Sequence, residues 1–163
     1  MDIFEFAMEK ERYAENYYRE LADKTADHGL KSILLLLAND EVKHCETIKR
    51  IKEEDFASIG SVATDIIPNS KQIFQKMRAA KEDFNLDLTE IALFTKAQKF
   101  EKNSQEFYAA KAEEVTDKTV KSFLLKLAEE EKKHFILLEN IITMLQRPKL
   151  WLENAEFNNL DAY

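Results

Sequence analysis

Apolar side chains recur every three or four residues in four long stretches of this chain. The first stretch runs from Phe4 to Thr25 and the second from Leu34 to Ile51. The third runs from Phe94 to Ala112 and the fourth from Phe123 to Ile142. This spacing places the apolar side chains on one face of a helix. The pattern therefore predicts four amphipathic α-helices.

The four predicted helices form two pairs that repeat each other. The segment LKSILLLLANDEVKH, from Leu30 to His44, aligns without a gap with VKSFLLKLAEEEKKH, from Val120 to His134, at an offset of 90 residues. The same offset also matches Phe4 with Phe94, Glu11 with Glu101, Tyr18 with Tyr108, Ala22 with Ala112 and Ile51 with Ile141. One ungapped register across both segments indicates two homologous helical hairpins.

Turn residues predict where the helices end. We expect Asp27-His28-Gly29 to form the turn of the first hairpin, with Gly29 supplying a positive φ. In the second hairpin, Thr116-Asp117-Lys118 is the expected turn, and Asp117 is the expected N-cap. Between the hairpins, a stretch with Gly60 and Pro68 precedes a short helix predicted from about Ser70 to Asp83.

These elements predict an all-α protein built as a four-helix bundle with one long crossover connection. The hairpins cover residues 1–54 and 87–147, and the crossover covers residues 55–86. Only two Gly and two Pro occur in the whole chain, which argues against a strand-rich fold with many turns. The aromatic-rich tail, residues 148–163, is expected to pack on the bundle.

Composition narrows the classes of function. The 163 residues suit one domain, and a formal net charge of −7 without a basic stripe argues against nucleic acid as a partner. The longest apolar run, Ile33 to Ala38, is too short to span a bilayer, and the first residues carry no secretory signal. The single cysteine, Cys45, excludes an internal disulfide and suits a reducing compartment. We therefore expect a cytoplasmic protein that binds neither nucleic acid nor membranes.

Four glutamates interrupt the apolar faces of the predicted helices. They are Glu11, Glu41, Glu101 and Glu131. A histidine follows two of them at a distance of three residues: His44 follows Glu41, and His134 follows Glu131. Residues three apart lie on the same helix face. A buried carboxylate without a partner costs several kcal/mol, so such positions need a counter-charge.

The heights of these residues along the bundle agree. Glu11 lies about 17 residues before the first turn and the Glu41/His44 pair about 14 after it, a difference of only about 5 Å at the rise of a helix. Bringing two such hairpins together gathers four carboxylates and two imidazoles, the ligand set of di-iron and di-manganese carboxylate bundles. A lone Glu-x-x-His motif is more often a surface feature. The doubled motif predicts a two-metal site with ligands at Glu11, Glu41, His44, Glu101, Glu131 and His134.

Other residues lie close to the predicted ligands. Tyr18 and Tyr108 are two turns from Glu11 and Glu101, where a hydroxyl could hydrogen-bond to a ligand carboxylate or simply belong to an aromatic core. Asp40 and Glu130 precede ligands and could orient a histidine through its other nitrogen, or lie on the solvated surface. Cys45 is interpreted as a small buried residue because its repeat counterpart is Phe135.

Four segments carry a resemblance to a known family. EKERYAENYYRELA, LANDEVKHCETI, FEKNSQEFYAAKA and LAEEEKKHFILL resemble the ferritin-like di-iron domain of the rubrerythrin family over nearly all of the first 145 residues. The resemblance implies a ferritin-like bundle in which the six predicted ligands hold two iron ions, with manganese or a mixed pair as alternatives. It also implies that reduced iron reacts with hydrogen peroxide or dioxygen, and that the chain forms a homodimer.

Two departures from the family pattern bear on function. No Cys-x-x-Cys rubredoxin module occurs in this sequence, so we expect electrons to come from a separate donor protein such as a rubredoxin. Rubrerythrins also place an extra glutamate three residues from the third-helix ligand, where this chain has Gln98 and Ser104. The resulting site resembles that of bacterioferritin. The alternatives to a peroxidase are a ferroxidase or iron-handling protein and a non-catalytic bundle stabilised by metal.

Overall fold

The computed structural model describes residues 1–80, 89–148 and 160. This part of the chain contains five α-helices, one short 3-10 helix at Phe56–Ser58 and no strand. The helices are α1 (Ile3–Lys24), α2 (His28–Lys52), α3 (Ile66–Ala80), α4 (Thr89–Glu114) and α5 (Lys118–Gln146). The predicted all-α, ferritin-like architecture is confirmed.

Aspartates begin three of the long helices. Asp2, Asp27 and Asp117 precede α1, α2 and α5, and each side chain accepts hydrogen bonds of 2.8–3.0 Å from backbone amides two or three residues later. These amides have no partner within the helix, so an aspartate at the N-cap satisfies them. The prediction that Asp117 caps the fourth bundle helix is confirmed.

The prediction of a positive φ at Gly29 is wrong. Asp27 caps α2 directly, so His28 and Gly29 already belong to its first turn, and no glycine in the described residues has a positive φ. Gly29 has a packing role instead. A Cβ atom at this position would overlap the Sδ atom of Met77 on α3. The absence of a side chain therefore lets the crossover helix lie directly against the start of α2.

The crossover helix begins earlier than predicted. Helix α3 starts at Ile66 rather than at Ser70, and the predicted end near Asp83 lies outside the described residues. Pro68 occupies the first turn of α3, where a backbone N–H has no helical partner and proline is tolerated. Ile66 and Ile67 are buried, so the early start brings two more apolar side chains into the core.

The four long helices form two antiparallel hairpins packed against each other. Helix α1 packs along α2, and α4 packs along α5. The hairpins meet through contacts of α1 with α4 and of α2 with α5, while α3 lies across α2 and α5. The predicted boundary at residue 86 lies outside the described part of the chain, which lacks residues 81–88, so the predicted boundaries stay predictions.

Two apolar clusters fill the bundle, one toward each end. The larger cluster contains buried side chains from the second halves of α1 and α5, the first halves of α2 and α4, and α3, including Leu34, Phe74 and Leu137. The smaller cluster lies at the opposite end and includes Ile48 and Leu127. Leu160, from the predicted tail, is fully buried in the larger cluster, and the rest of the tail beyond residue 148 is outside the described residues. No helix among the described residues is long and apolar enough to cross a membrane.

Helix α2 ends in a backbone conformation that L-amino acids disfavour. Glu54 has a φ of 57°, and the amides of Glu54 and Asp55 donate to the carbonyls of Ile51 and Arg50 at 3.1 and 2.9 Å. These two hydrogen bonds form a Schellman motif, in which glycine is the preferred residue at the left-handed position.

We expect Glu54→Gly to raise the free energy of unfolding by about 1 kcal/mol, because glycine removes the steric cost of the left-handed conformation. Urea denaturation of the metal-free protein measures this change. Glu53→Gly is the matched control, because Glu53 is right-handed at φ −80° and should lose stability when replaced by glycine. Equal effects of the two substitutions on the free energy of unfolding would contradict a steric cost of the left-handed conformation at Glu54.

Candidate metal centre

The six predicted ligand side chains meet in a polar layer between the two apolar clusters. Each is at most 2% exposed, although all six are ionisable. They come from four helices: Glu11 from α1, Glu41 and His44 from α2, Glu101 from α4, and Glu131 and His134 from α5. The helical faces inferred from the sequence thus bring all six side chains to one place.

The six side chains form two overlapping groups suited to holding a cation. One group contains Glu11, Glu41, His44 and Glu131, and the other contains Glu41, Glu101, Glu131 and His134. Within each group, one ligand atom from every residue lies within 4.8 Å of the others. Glu41 and Glu131 belong to both groups. Their carboxylates therefore stand where bridging ligands between two ions would stand.

The histidine rings point their Nδ1 atoms into this layer. His44 Nδ1 lies 3.3 Å from Glu131 and 3.4 Å from Glu41. His134 Nδ1 lies 3.0 Å from Glu41 and 3.5 Å from Glu101. The two rings are nearly parallel, with centroids 5.4 Å apart. Each imidazole therefore presents its Nδ1 atom on the same side as the carboxylates.

Many polar atoms of this layer are buried without a hydrogen bond. Within the described residues, both carboxylate oxygens of Glu41 and Glu131, one oxygen of Glu101 and the Nδ1 atoms of both histidines lack such a partner. Buried polar atoms are normally hydrogen-bonded, so such a cluster of exceptions requires an explanation. Four carboxylates match the charge of two divalent cations, and mixed oxygen and imidazole donors suit iron or manganese. The residues present therefore fit a pair of metal ions.

Protons neutralise the layer when no cation is bound. Burial and the neighbouring charge of Glu41 raise the pKa of Glu11 to about 8, and burial with the charge of Glu131 raises the pKa of Glu101 to about 7. Burial alone would lower the pKa values of His44 and His134, but the surrounding carboxylates outweigh it and hold both well above the usual range. The metal-free site therefore retains protons at neutral pH.

Two buried tyrosines connect the hairpins through the carboxylates. The Tyr18 hydroxyl donates to Glu101, and the Tyr108 hydroxyl donates to Glu11. Each tyrosine therefore reaches the glutamate of the other hairpin and not the glutamate two turns away on its own helix. Burial and the nearby carboxylates raise the pKa values of both phenols, which keeps them neutral hydrogen-bond donors.

Asp40 and Glu130, which directly precede Glu41 and Glu131, have different hydrogen-bond partners. Asp40 Oδ2 lies 3.1 Å from Nε2 of His134, on the opposite hairpin. Glu130 forms no hydrogen bond or ion pair with a histidine among the described residues. Its Oε2 accepts from the Thr64 backbone amide at 3.1 Å and lies 2.9 Å from the Thr64 hydroxyl oxygen. Burial would raise the pKa of Asp40, but hydrogen bonds from His134 and Thr64 outweigh burial and lower it.

Thr64, among the described residues, is a participant that the sequence reasoning missed. Its hydroxyl also lies 2.7 Å from Asp40 Oδ2, so this crossover residue contacts both Asp40 and Glu130. Neither a motif nor helical spacing identifies it, because it lies outside the repeated hairpins and arrives through the fold. An ordinary threonine in an irregular segment carries no local signal of this role.

Three other residues considered from the sequence lie close to the layer without joining it. Cys45 is half-buried, and its Sγ lies 3.9 Å from the backbone oxygen of Met8. The amide nitrogen of Gln98 is directed to the backbone oxygen of Phe135 at 3.5 Å. Ser104 is buried three residues after Glu101, where its hydroxyl has no hydrogen-bond partner among the described residues. None of the three belongs to either cation-sized group.

Comparison with known families agrees with this geometry. The model of the rubrerythrin family matches residues 2–142, a range that contains all six residues of the site. Searches of the curated proteins and of the solved structures each returned no significant match.

We expect the affinity of the site for Co²⁺ to rise as the pH increases from about 6 to about 8.5, because bound protons must leave before the cation enters. A raised pKa means that protons compete with the cation up to a higher pH. This competition weakens as the pH passes the values of about 7 and about 8 for Glu101 and Glu11, and the raised pKa values of His44 and His134 extend it to higher pH. Isothermal titration at several pH values, in buffers that do not bind cobalt, measures the change and the protons released. An affinity independent of pH would contradict this protonation state.

Proposed function

Because the chain belongs to the rubrerythrin family, we propose that it is a non-haem di-iron oxidoreductase that reduces hydrogen peroxide or dioxygen. Electrons would come from a separate donor protein such as a rubredoxin. The observation that carries this proposal is the cluster of fully buried carboxylate and imidazole atoms without hydrogen bonds. Such a cluster is costly unless cations occupy it.

The two groups of side chains suggest which residues hold each ion. Glu11 and His44 would serve one ion and Glu101 and His134 the other, with Glu41 and Glu131 shared between them. Iron bound there supplies one-electron redox chemistry and a template for a small oxidant. Manganese or a mixed pair remains compatible with the same donors.

The surrounding side chains suit the handling of protons. Tyr18 and Tyr108 are neutral phenols that donate to Glu101 and Glu11, so each tyrosine and glutamate pair holds a proton beside the ligand atoms. Reduction of peroxide to water consumes protons, and a group within hydrogen-bond reach can deliver them. The apolar clusters above and below the layer keep bulk water from it.

A cavity between α1 and α4 lies beside one of the two buried tyrosines. It has a volume of about 180 Å³ and is lined in part by Ala14, Tyr18 and Ala97. Tyr18 belongs both to the wall of this cavity and to the hydrogen bond with Glu101. A space of this size admits hydrogen peroxide or dioxygen as far as Tyr18, whose hydroxyl donates to Glu101.

A ferroxidase or iron-handling protein is the second candidate. Gln98 and Ser104 occupy the positions three residues from Glu101, where the rubrerythrin pattern has an additional glutamate, and this makes the donor set more symmetric. In that alternative, iron is the substrate and passes through the site. A homodimer and a cytoplasmic location stay predictions of the sequence and of the family resemblance.

We expect the ferrous-loaded protein to be oxidised by hydrogen peroxide faster than free ferrous iron is, since both ions are held at one reaction site. Stopped-flow absorbance measures the rate. Glu131→Ala should abolish the fast phase, because it removes a carboxylate shared by both groups. Glu129→Ala, an exposed neighbour on the same helix, is the control and should keep it.

The iron content after repeated addition of ferrous iron and dioxygen separates the two candidates. The oxidoreductase retains about two irons per chain, as the two groups of ligands allow. A ferroxidase that stores or passes on iron would oxidise many more per chain. Absence of any fast phase with peroxide would contradict the proposed reaction even if two irons were bound.

We expect the double substitution Tyr18→Phe, Tyr108→Phe to slow peroxide-driven oxidation by roughly 10²-fold, the usual loss when a positioned proton donor is removed. Metal content should remain close to that of the wild type, because the tyrosines are not in either ligand group. Tyr13→Phe is the matched control, since Tyr13 is 50% exposed. An unchanged rate in the double variant would assign the two phenols a structural role.

A further inference from the structure

The two hairpins repeat in sequence, but the outer nitrogens of their histidines have different surroundings. His134 Nε2 lies 3.1 Å from Asp40 Oδ2, whereas no polar atom in the described part of the chain forms a hydrogen bond with His44 Nε2. His44 is 1% exposed, so bulk solvent does not supply a partner either. A carboxylate therefore contacts the outer nitrogen of His134, and none contacts the outer nitrogen of His44.

The two outer nitrogens differ because the two repeats carry different residues at one pair of corresponding positions. Glu130 occupies the position that corresponds to Asp40 and is one methylene longer. Its Oε2 accepts from the backbone amide of Thr64 and its Oε1 accepts from Lys133 Nζ at 2.7 Å. These partners hold the Glu130 carboxylate away from His44. Thr64 also fixes Asp40 at 2.7 Å and so supports the contact with His134.

The remaining donors are nearly the same on the two sides. Each side has one glutamate of its own, Glu11 or Glu101, and each of these accepts a hydrogen bond from a buried tyrosine. Glu41 and Glu131 belong to both groups of ligands. The main difference between the two groups of ligands is therefore the outer nitrogen of the histidine.

A carboxylate on the outer nitrogen fixes the orientation of a ligating imidazole and increases its basicity at the other nitrogen. We propose that the two metal positions are unequal, with the position of Glu101 and His134 filled first and most tightly. The position of Glu11 and His44 fills second and releases its ion first. Asp40 is then a positioning residue that acts through His134. This inference rests on the proposed two-metal site and specifies the order in which that site is loaded.

Cobalt tests this order without any turnover. Crystals of the metal-free protein grown with one equivalent of Co²⁺ per chain give an anomalous difference map from which the two occupancies are refined. We expect most of the cobalt beside His134, since loss or absence of such an outer partner typically lowers metal affinity by about 10- to 100-fold. Calorimetric titration in solution should resolve two binding steps separated by a similar factor.

A matched pair of carboxylate-to-amide variants assigns the cause. Asp40→Asn should weaken the first binding step by about 10-fold or more and equalise the two occupancies. Glu130→Gln changes the corresponding residue of the other hairpin, does not touch a histidine, and should leave the difference between the sites intact. Glu130→Asp supplies the shorter side chain found at Asp40 and should raise the occupancy beside His44.

The possible failures are distinguishable. Equal occupancy in the wild type, or a preference for the position beside His44, would overturn the inference and leave the proposed two-metal site in place. Equal shifts in Asp40→Asn and Glu130→Gln would also overturn it, because a purely structural effect would not separate the two sites. No cobalt at either position, even in excess, would contradict the proposed site and this inference together. Thermal unfolding of the metal-free variants verifies that each is folded.

Discussion

Burial of four carboxylates in the middle of a helical bundle is the constraint on which the rest of the structure depends. A buried charge without a partner costs several kcal/mol, and this layer holds Glu11, Glu41, Glu101 and Glu131 at 2% exposure or less. Without metal, protons on the histidines and on two of the glutamates reduce that charge. In the proposed protein two divalent cations replace them. The carboxylates need protons or cations because the apolar clusters on either side exclude the water that would otherwise solvate the charges.

Side chains of each hairpin contact the ligand residues of the other hairpin. Each hairpin contributes a tyrosine that hydrogen-bonds to the glutamate of the other hairpin, and Asp40 of the first hairpin reaches His134 of the second. The layer of six ionisable side chains is thus assembled only when the hairpins dock. The crossover adds a third connection, since Thr64 contacts Asp40 and Glu130 from outside the repeat.

Most of the fold and of the candidate site follows from local sequence patterns. The helical spacing and the fixed offset between repeats predicted four bundle helices, and the glutamates within apolar faces predicted which side chains meet. These features depend on periodicity along single helices, which a sequence displays directly. The start of α3 was predicted too late because Pro68 was taken as a loop residue, although the first turn of a helix accepts proline.

Features that depend on contacts between distant segments were not predictable in the same way. Gly29 was expected to shape a turn, but its role is to leave room for Met77 of the crossover helix. Asp40 and Glu130 occupy corresponding positions of the repeats, and only the docked structure shows that Asp40 reaches His134 whereas Glu130 is held by Thr64 and Lys133. The cross-hairpin direction of the tyrosine hydrogen bonds likewise requires the docked arrangement.

The most direct test of the central claim is a crystal structure of the protein saturated with ferrous iron under anaerobic conditions, with data collected at the iron absorption edge. The account predicts two anomalous peaks inside the buried layer, with Glu41 and Glu131 contacting both. A single peak, or iron bound only at exposed carboxylates, would contradict the two-metal site. The buried glutamates would then have to be held by protons alone.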